Sequence, residues 1–220
     1  MPLRAVLFDF DGTLADSYPA ITASVNHVRA AHKLTPLVES EVRRLVGFGL
    51  LTLLQEILPD GATEADVALY RSHYLQIMER ETHLLPGVVP ALEELHHRGL
   101  RLAVCSNKNA VFTRKLCASL GIAQFFEAIL GPEDVSAPKP DPAMIDEAMK
   151  RLGVIAKRCL CIGDMAIDVE TARAAGVTVW VVPSGSHDAG TLSAARPDRI
   201  LSNMGELPRL LFPASDPLSP

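Results

Sequence analysis

The sequence predicts an α/β protein, a doubly wound parallel sheet into which an all-helical segment is inserted. Three observations carry that prediction. Ala5-Val6-Leu7-Phe8 is an unbroken apolar run, as expected of a strand buried on both faces of a parallel sheet, and it stops abruptly at Asp9-Phe10-Asp11-Gly12. From Asp16 to Leu84 apolar residues recur at helical spacing and no strand-like run occurs. Beyond Gly87, strand and helix patterns alternate, which implies right-handed crossovers and helices on both faces of one sheet.

In chain order, Ser17 is a candidate N-cap for a helix carrying Ile21, Val25 and Val28. Helices follow over about 38–46, 49–58 and 64–82, punctuated by Gly47, Gly49 and Pro59-Asp60-Gly61. His83 to Gly87 forms the return hinge. A helix over about 88–98 ends at Gly99 and precedes the strand 100–105; another over 109–120 stops at Gly121. A short strand at 128–130 leads to a Pro-rich loop, then to Asp141 as N-cap with Pro142 at the first helical position. The strand 159–162, a helix over 167–175, the strand 177–182, a weak strand 199–201 and a helix 203–211 complete the pattern. The expected division is a core of residues 1–15 and 85–212, a helical insertion at 16–84, and a disordered tail at 213–220.

Composition narrows the function. Among 220 residues, 48% are hydrophobic and 21% charged, an ordinary globular balance. The net charge of −5 and the lack of Lys/Arg-rich runs give no footprint for nucleic acid. No apolar stretch approaches the roughly 20 residues of a membrane span. The N-terminal apolar run is too short, and meets acids too early, for a signal peptide. These features predict a cytosolic protein; the sequence sets no oligomeric state. Cys105, Cys117, Cys159 and Cys161 lie in apolar patterns without zinc spacing and read as buried reduced thiols.

Ligands of an open parallel sheet bind beyond the carboxyl ends of its strands. Asp9 and Asp11 stand there after the first strand, pointing the same way because side chains alternate. Ser106-Asn107 follows the second strand, Lys139 lies in the loop after the third, and Gly163-Asp164 with Asp168 follows the fourth. Taken singly, Ser106 reads as an N-cap, Asn107 and Asp164 as turn residues, Lys139 as a solvated loop lysine and Asp168 as a first-turn helix acid. Taken together they suit phosphoryl transfer. Asp9 would attack phosphorus, and Asp11 would protonate the leaving oxygen and then deprotonate water. Asp9, Asp164 and a backbone carbonyl near Asp11, which places Asp11 among the ligands, would hold Mg2+. Ser106 and Lys139 would bind phosphate oxygens.

Asp9-Phe10-Asp11-Gly12-Thr13-Leu14, Ser106-Asn107, Lys139-Pro140 and Gly163-Asp164-x-x-x-Asp168 resemble, in order, the four motifs of the haloacid dehalogenase superfamily. The resemblance covers the whole core. It implies a Rossmann-like core with a helical cap, and Asp16-Ser17-x-Pro19 with Ala174-Ala175-Gly176 is similar to the phosphoglycolate phosphatase-like branch. The roles it implies are Asp9 as nucleophile, Asp11 as general acid/base, Ser106 and Lys139 as phosphate binders, Asp164 as a magnesium ligand, and Asp168 orienting Lys139 or metal-bound water. The backbone amides of Phe10 and Asn107 complete the phosphate cradle. The implied partner is a small phosphorylated metabolite, with phosphoglycolate first.

Met165 departs from the family pattern, standing where relatives often carry a small hydroxyl residue. Asp11 argues against dehalogenases and phosphonatases, which lack that second acid. Phosphomutases of the beta-phosphoglucomutase type keep both acids, but their cap-linker histidine falls at about Ile21, with His27 two turns further on. A non-catalytic phospho-ligand binder is the other alternative, though Asp9, Asp11 and Lys139 are all retained. In the cap, Gly47-Phe48-Gly49 sits where relatives place a specificity loop, and Arg43 or Arg44 could pair with a carboxylate; equally, the glycines form a turn and both arginines are solvated.

Overall fold

The computed structural model describes residues 2–213. Six parallel strands form one sheet in the order β5-β4-β1-β6-β7-β8: β1 (Ala5–Phe8), β4 (Arg101–Cys105), β5 (Ala128–Leu130), β6 (Cys159–Gly163), β7 (Thr178–Val181) and β8 (Arg199–Ile200). The central β1 pairs with β4 on one side and β6 on the other, so the crevice where the winding reverses opens at its carboxyl end. Its uninterrupted apolar character follows from this position. Val6 and Phe8 pack into the buried cluster on one face, Ala5 and Leu7 into that on the other.

Helices α5 (Val88–His97), α6 (Ala110–Ser119), α7 (Ala143–Arg151), α8 (Ala166–Ala174), α9 (Ala189–Ala194) and α10 (Leu207–Leu211) accompany the sheet. Helix α7 begins one residue later than its sequence suggests, yet Asp141 still accepts the Ala143 amide at 2.9 Å. The helix expected over 203–211 divides into a 3-10 turn, Met204–Glu206, and α10. The expected tail falls on 213–220, of which 214–220 lie outside the described residues. The four cysteines are free and buried, and burial pushes the Cys105 thiol up to about 12.

Between β1 and α5 stand α1 (Tyr18–Ala31), α2 (Glu39–Arg43), α3 (Leu50–Ile57) and α4 (Glu64–Glu81). They are bracketed by β2 (Ala15–Asp16) and β3 (His83–Leu84), which pair antiparallel, Ala15 with Leu84 and Asp16 with His83. These two-residue strands escape the sequence pattern because each is too short to show a period. Tyr18, Ile21, Val25 and Val28 line one face of α1; Tyr70, Tyr74 and Met78 line one face of α4. Their buried cluster continues into the sheet through Phe10 and Leu14, and the Tyr74 and Phe112 rings meet at 5.3 Å. The inserted helices therefore share one apolar core with the sheet.

Asp66 fixes the start of α4. Its carboxylate accepts the Thr63 amide at 2.9 Å and the ring of His32, just after α1, at 2.6 Å. The His32 and Thr63 hydrogen bonds hold it down at about 2. Because the folded value is depressed, this stabilisation is complete above the ordinary carboxylate range and is lost as pH falls toward 2. Asp66→Asn is expected to cost about 1 kcal/mol at pH 7, the usual worth of a capping contact. In urea titrations the gap from the parent protein should close between pH 4 and 2.

Candidate active site

The turn after β1 builds the first wall. The amides of Leu14 and Ala15 both return to the Phe10 carbonyl, at 2.9 and 3.0 Å, which buries Phe10 between the two acids. Gly12 holds φ +81°, and a Cβ there would stand 2.5 Å from Asp164 Oδ2. A left-handed residue without a side chain is needed for the turn to pack against Asp164.

Asp9, Asp11, Ser106, Asn107 and Lys108 border one cavity of about 270 Å³ between the sheet edge and the inserted helices. Lys139, Asp164 and Asp168 are buried and are not part of that wall. Lys139 Nζ lies 3.1 Å from Asp9 Oδ1 and 2.6 Å from Asp168 Oδ1. Asp168 thereby ties Lys139 to the turn after β6: its other oxygen accepts the Asp164 and Met165 amides at 3.2 and 3.0 Å. Asp164 is held on both oxygens, by the Thr13 hydroxyl at 3.2 Å and the Ser186 amide at 2.8 Å.

Asp9, Asp164 and Asp168 each present an oxygen within 4.8 Å of the others. One ammonium, Lys139, faces these three carboxylates, leaving a deficit of two positive charges if all are ionised. Burial, then Asp9 and Asp168, raises Asp164 well above the usual carboxylate range. Burial and Asp9 also raise Asp168, against the pull of Lys139. Burial opposes the Lys139 ammonium, but Asp168 and Asp9 outweigh it and keep it charged above its ordinary value. Asp9 Oδ1 is buried, and the Lys139 ammonium at 3.1 Å is the one donor group paired with it among the described residues. An all-oxygen cluster short of two charges fits a hard divalent cation.

The Asp11 carboxylate is not part of this cluster. It accepts from Lys108 Nζ at 3.1 Å and from the Ser17 hydroxyl, so only its backbone carbonyl is left for the ligand set expected above. Ser17 consequently makes no side-chain cap for α1. Ser106 is not a cap either, since Asn109 accepts the Val111 and Phe112 amides of α6. The Asn107 side chain is spent on the Lys139 backbone, at 2.9 and 3.0 Å, and on the Gly47 carbonyl at 3.0 Å. A phosphate contact from Asn107 is left to its amide.

In the inserted helices, Phe48 borders the cavity between Gly47 and Gly49. Arg43 does not: it pairs with Glu39 at 3.0 Å and Asp16 at 3.6 Å and stacks 3.8 Å over the Tyr18 ring. Arg44 is exposed. Met165 is buried and supplies the packing under Gly47, where a Cβ would come 2.2 Å from its sulfur. The sequence assigns no role to Thr13, although it lies inside the first motif, to Lys108, which adjoins the second, or to Ser186, which nothing in its neighbourhood marks.

The characteristic sequence pattern of the haloacid dehalogenase-like hydrolases matches residues 6–182, which takes in every site residue named above except Ser186. The chain belongs to the haloacid dehalogenase-like hydrolase family. Among its relatives, the phosphoglycolate phosphatase of Rhodospirillum rubrum is 37% identical over 193 residues, 83% of this chain and 80% of that protein. The plasmid-borne phosphoglycolate phosphatase of Cupriavidus necator is 34% identical over 97% of this chain and 95% of its own. The crystal structure of a predicted phosphoglycolate phosphatase from Haemophilus somnus superposes with a TM-score of 0.87 at 25% identity, covering 94% of this chain and 97% of the other. No helix among the described residues of this hydrolase is long and apolar enough to cross a membrane.

Proposed function

We propose that this phosphatase hydrolyses a small phosphomonoester through an aspartyl-phosphate on Asp9, with phosphoglycolate as the first substrate to test. The observation that carries the proposal is Asp9 itself. It is a carboxylate at the cavity wall whose buried Oδ1 faces the Lys139 ammonium at 3.1 Å. In the first step an Asp9 oxygen bonds to phosphorus as the ester P–O bond breaks, and Asp11 passes its proton to the departing alkoxide. In the second, water bonds to phosphorus, Asp11 takes the proton, and the bond to Asp9 breaks to release phosphate. Asp9, Asp164 and a backbone carbonyl at Asp11 would hold Mg2+, which supplies charge neutralisation when bound.

Ser106 suits a phosphate oxygen. Its Oγ accepts the Lys108 amide at 3.4 Å, while its own hydrogen has no acceptor among the described residues. The Phe10 and Asn107 amides and Lys139 complete this reading of the cradle. Residues 16–84 act as a cap over a core of 1–15 and 85–212, the β2–β3 pair marking the boundary. The names of the relatives favour phosphoglycolate. Lys108, beside Asp11, and Arg71 both line the cavity and are the cations available there to a glycolate carboxylate, the part in which Arg43 does not serve.

Hydrolysis is favoured over phosphomutase chemistry by Ile21, which borders the cavity where the mutase histidine is expected. His27 is exposed and stacks on His73 at 4.3 Å. The test is phosphate release from 2-phosphoglycolate, pyrophosphate and beta-glucose 1-phosphate, with Mg2+ and with chelator. Mg2+-dependent release with the highest kcat/KM on 2-phosphoglycolate is expected. Conversion of beta-glucose 1-phosphate to another hexose phosphate without release would favour the mutase, and no turnover at all would favour a binding role.

A cation bound at Asp164, whose folded value is raised, favours its ionised form, so binding is coupled to proton release. Raised acids bind more protons in the native state, so the cation-free protein loses stability as pH rises above the ordinary carboxylate range. The melting-temperature gain on adding Mg2+ to chelator-treated protein should therefore be larger at pH 8 than at pH 5. An equal gain at both pH values would mean that Mg2+ binds elsewhere.

A further inference from the structure

We infer that Tyr18 and Ser186 are positioning residues that hold Asp164 for its cation and tie that hold to the cap; this rests on the proposed ligand role of Asp164. Neither residue belongs to the four motifs. The carboxylate of Asp164 takes one donor from the turn after β1, Thr13, and one from the loop after β7, the Ser186 amide. That loop packs directly on it: a Cβ at Gly185 would fall 1.8 Å from Asp164 Oδ2. The orientation of Asp164 therefore depends on residues 184–186 as well as on Thr13.

Those residues are fixed largely from outside the core. The Val46 carbonyl can only accept, so the Ser186 hydroxyl donates to it at 3.4 Å, and the Tyr18 phenol then donates to Ser186 Oγ at 3.0 Å. Val46 immediately precedes the Gly47-Phe48-Gly49 segment at the cavity, and Tyr18 opens α1. Arg43 of α2 stacks on the Tyr18 ring and reaches the Ser184 carbonyl at 3.4 Å, while Ser184 Oγ returns to the Gly12 carbonyl at 2.7 Å. Two residues of the inserted helices and the loop preceding Gly47 thus hold the loop that donates to Asp164. Hydrogen bonds to a metal-binding carboxylate orient it and raise metal affinity, and their loss typically weakens binding 10- to 100-fold.

The test measures Mg2+ binding calorimetrically on the full chain, for the parent, Tyr18→Phe, Ser186→Ala and Ser186→Thr. Tyr18→Phe keeps the ring that Arg43 covers and removes only the donor. Tyr18→Phe and Ser186→Ala, which loosen the Ser186 amide rather than remove it, should each raise the Mg2+ dissociation constant up to about tenfold, the low end of the loss of a direct bond. In chelator the melting temperature should stay close to that of the parent. At saturating Mg2+, kcat on the best ester should recover most of its loss, and Ser186→Thr, which keeps the hydroxyl, should bind Mg2+ like the parent. Because the two side chains act through one bond, the double variant should be no weaker than Ser186→Ala. Parent-like Mg2+ affinity in Tyr18→Phe and Ser186→Ala would overturn the inference while leaving the hydrolytic reading intact. Absence of Mg2+ binding by the parent would overturn both.

Discussion

Asp9→Asn is expected to lower kcat by about 10⁴- to 10⁶-fold on every ester the enzyme accepts, the scale seen when a covalent nucleophile is removed. Asparagine matches aspartate in size but its amide cannot displace an alkoxide from phosphorus. The fold should survive. Lys139 keeps its bond to Asp168 at 2.6 Å, and the variant removes one of three carboxylates that share a single ammonium. In chelator its melting temperature should equal or exceed that of the parent. That pairing of lost turnover with retained stability separates a chemical role from a structural one. A residual rate within tenfold of the parent would remove Asp9 from the mechanism.

Lys139→Met is expected to be the most destabilising single change at the site. Its ammonium is buried and stands between Asp9 and Asp168. Methionine fills similar volume but leaves three buried acids without a counter-charge, and breaking a buried pair in this way costs about 3–5 kcal/mol. The loss should depend on pH. The pairing with Asp168 and Asp9 holds Lys139 above its ordinary value, so its contribution is complete at neutral pH and disappears only in strong alkali. Asp164 and Asp168 have raised folded values, so lowering the pH toward 5 lets them take protons in place of the missing ammonium. Urea titrations without Mg2+ should show the deficit at pH 7.5 shrinking at pH 5. A constant deficit would assign the cost to packing.

What the sequence revealed and what it concealed follow from distance along the chain. The motif residues were legible because each sits at the carboxyl end of a strand or in the segment that follows it, and the parallel alternation sends those ends to one edge. The apolar run of β1 implied burial on both faces, and Val6 and Leu7 do enter opposite clusters. Partnerships across the fold were not legible. Lys108 and Asp11 are 97 positions apart, and Tyr18 and Ser186 are 168 apart. Arg43 could be proposed for a carboxylate because, although Glu39 stands one helical turn before it, nothing local showed that Asp16 and the Tyr18 ring would also claim it. The six-residue α9 left no periodic trace, with Leu192 its one buried residue.

The stereochemical course at phosphorus tests the covalent intermediate most directly. An ester made chiral at phosphorus with oxygen isotopes, hydrolysed in isotopically labelled water, yields phosphate whose configuration reports the number of in-line displacements. Attack by Asp9 followed by attack by water predicts net retention. Net inversion would mean that water displaces the alcohol in one step, and would contradict the aspartyl-phosphate account.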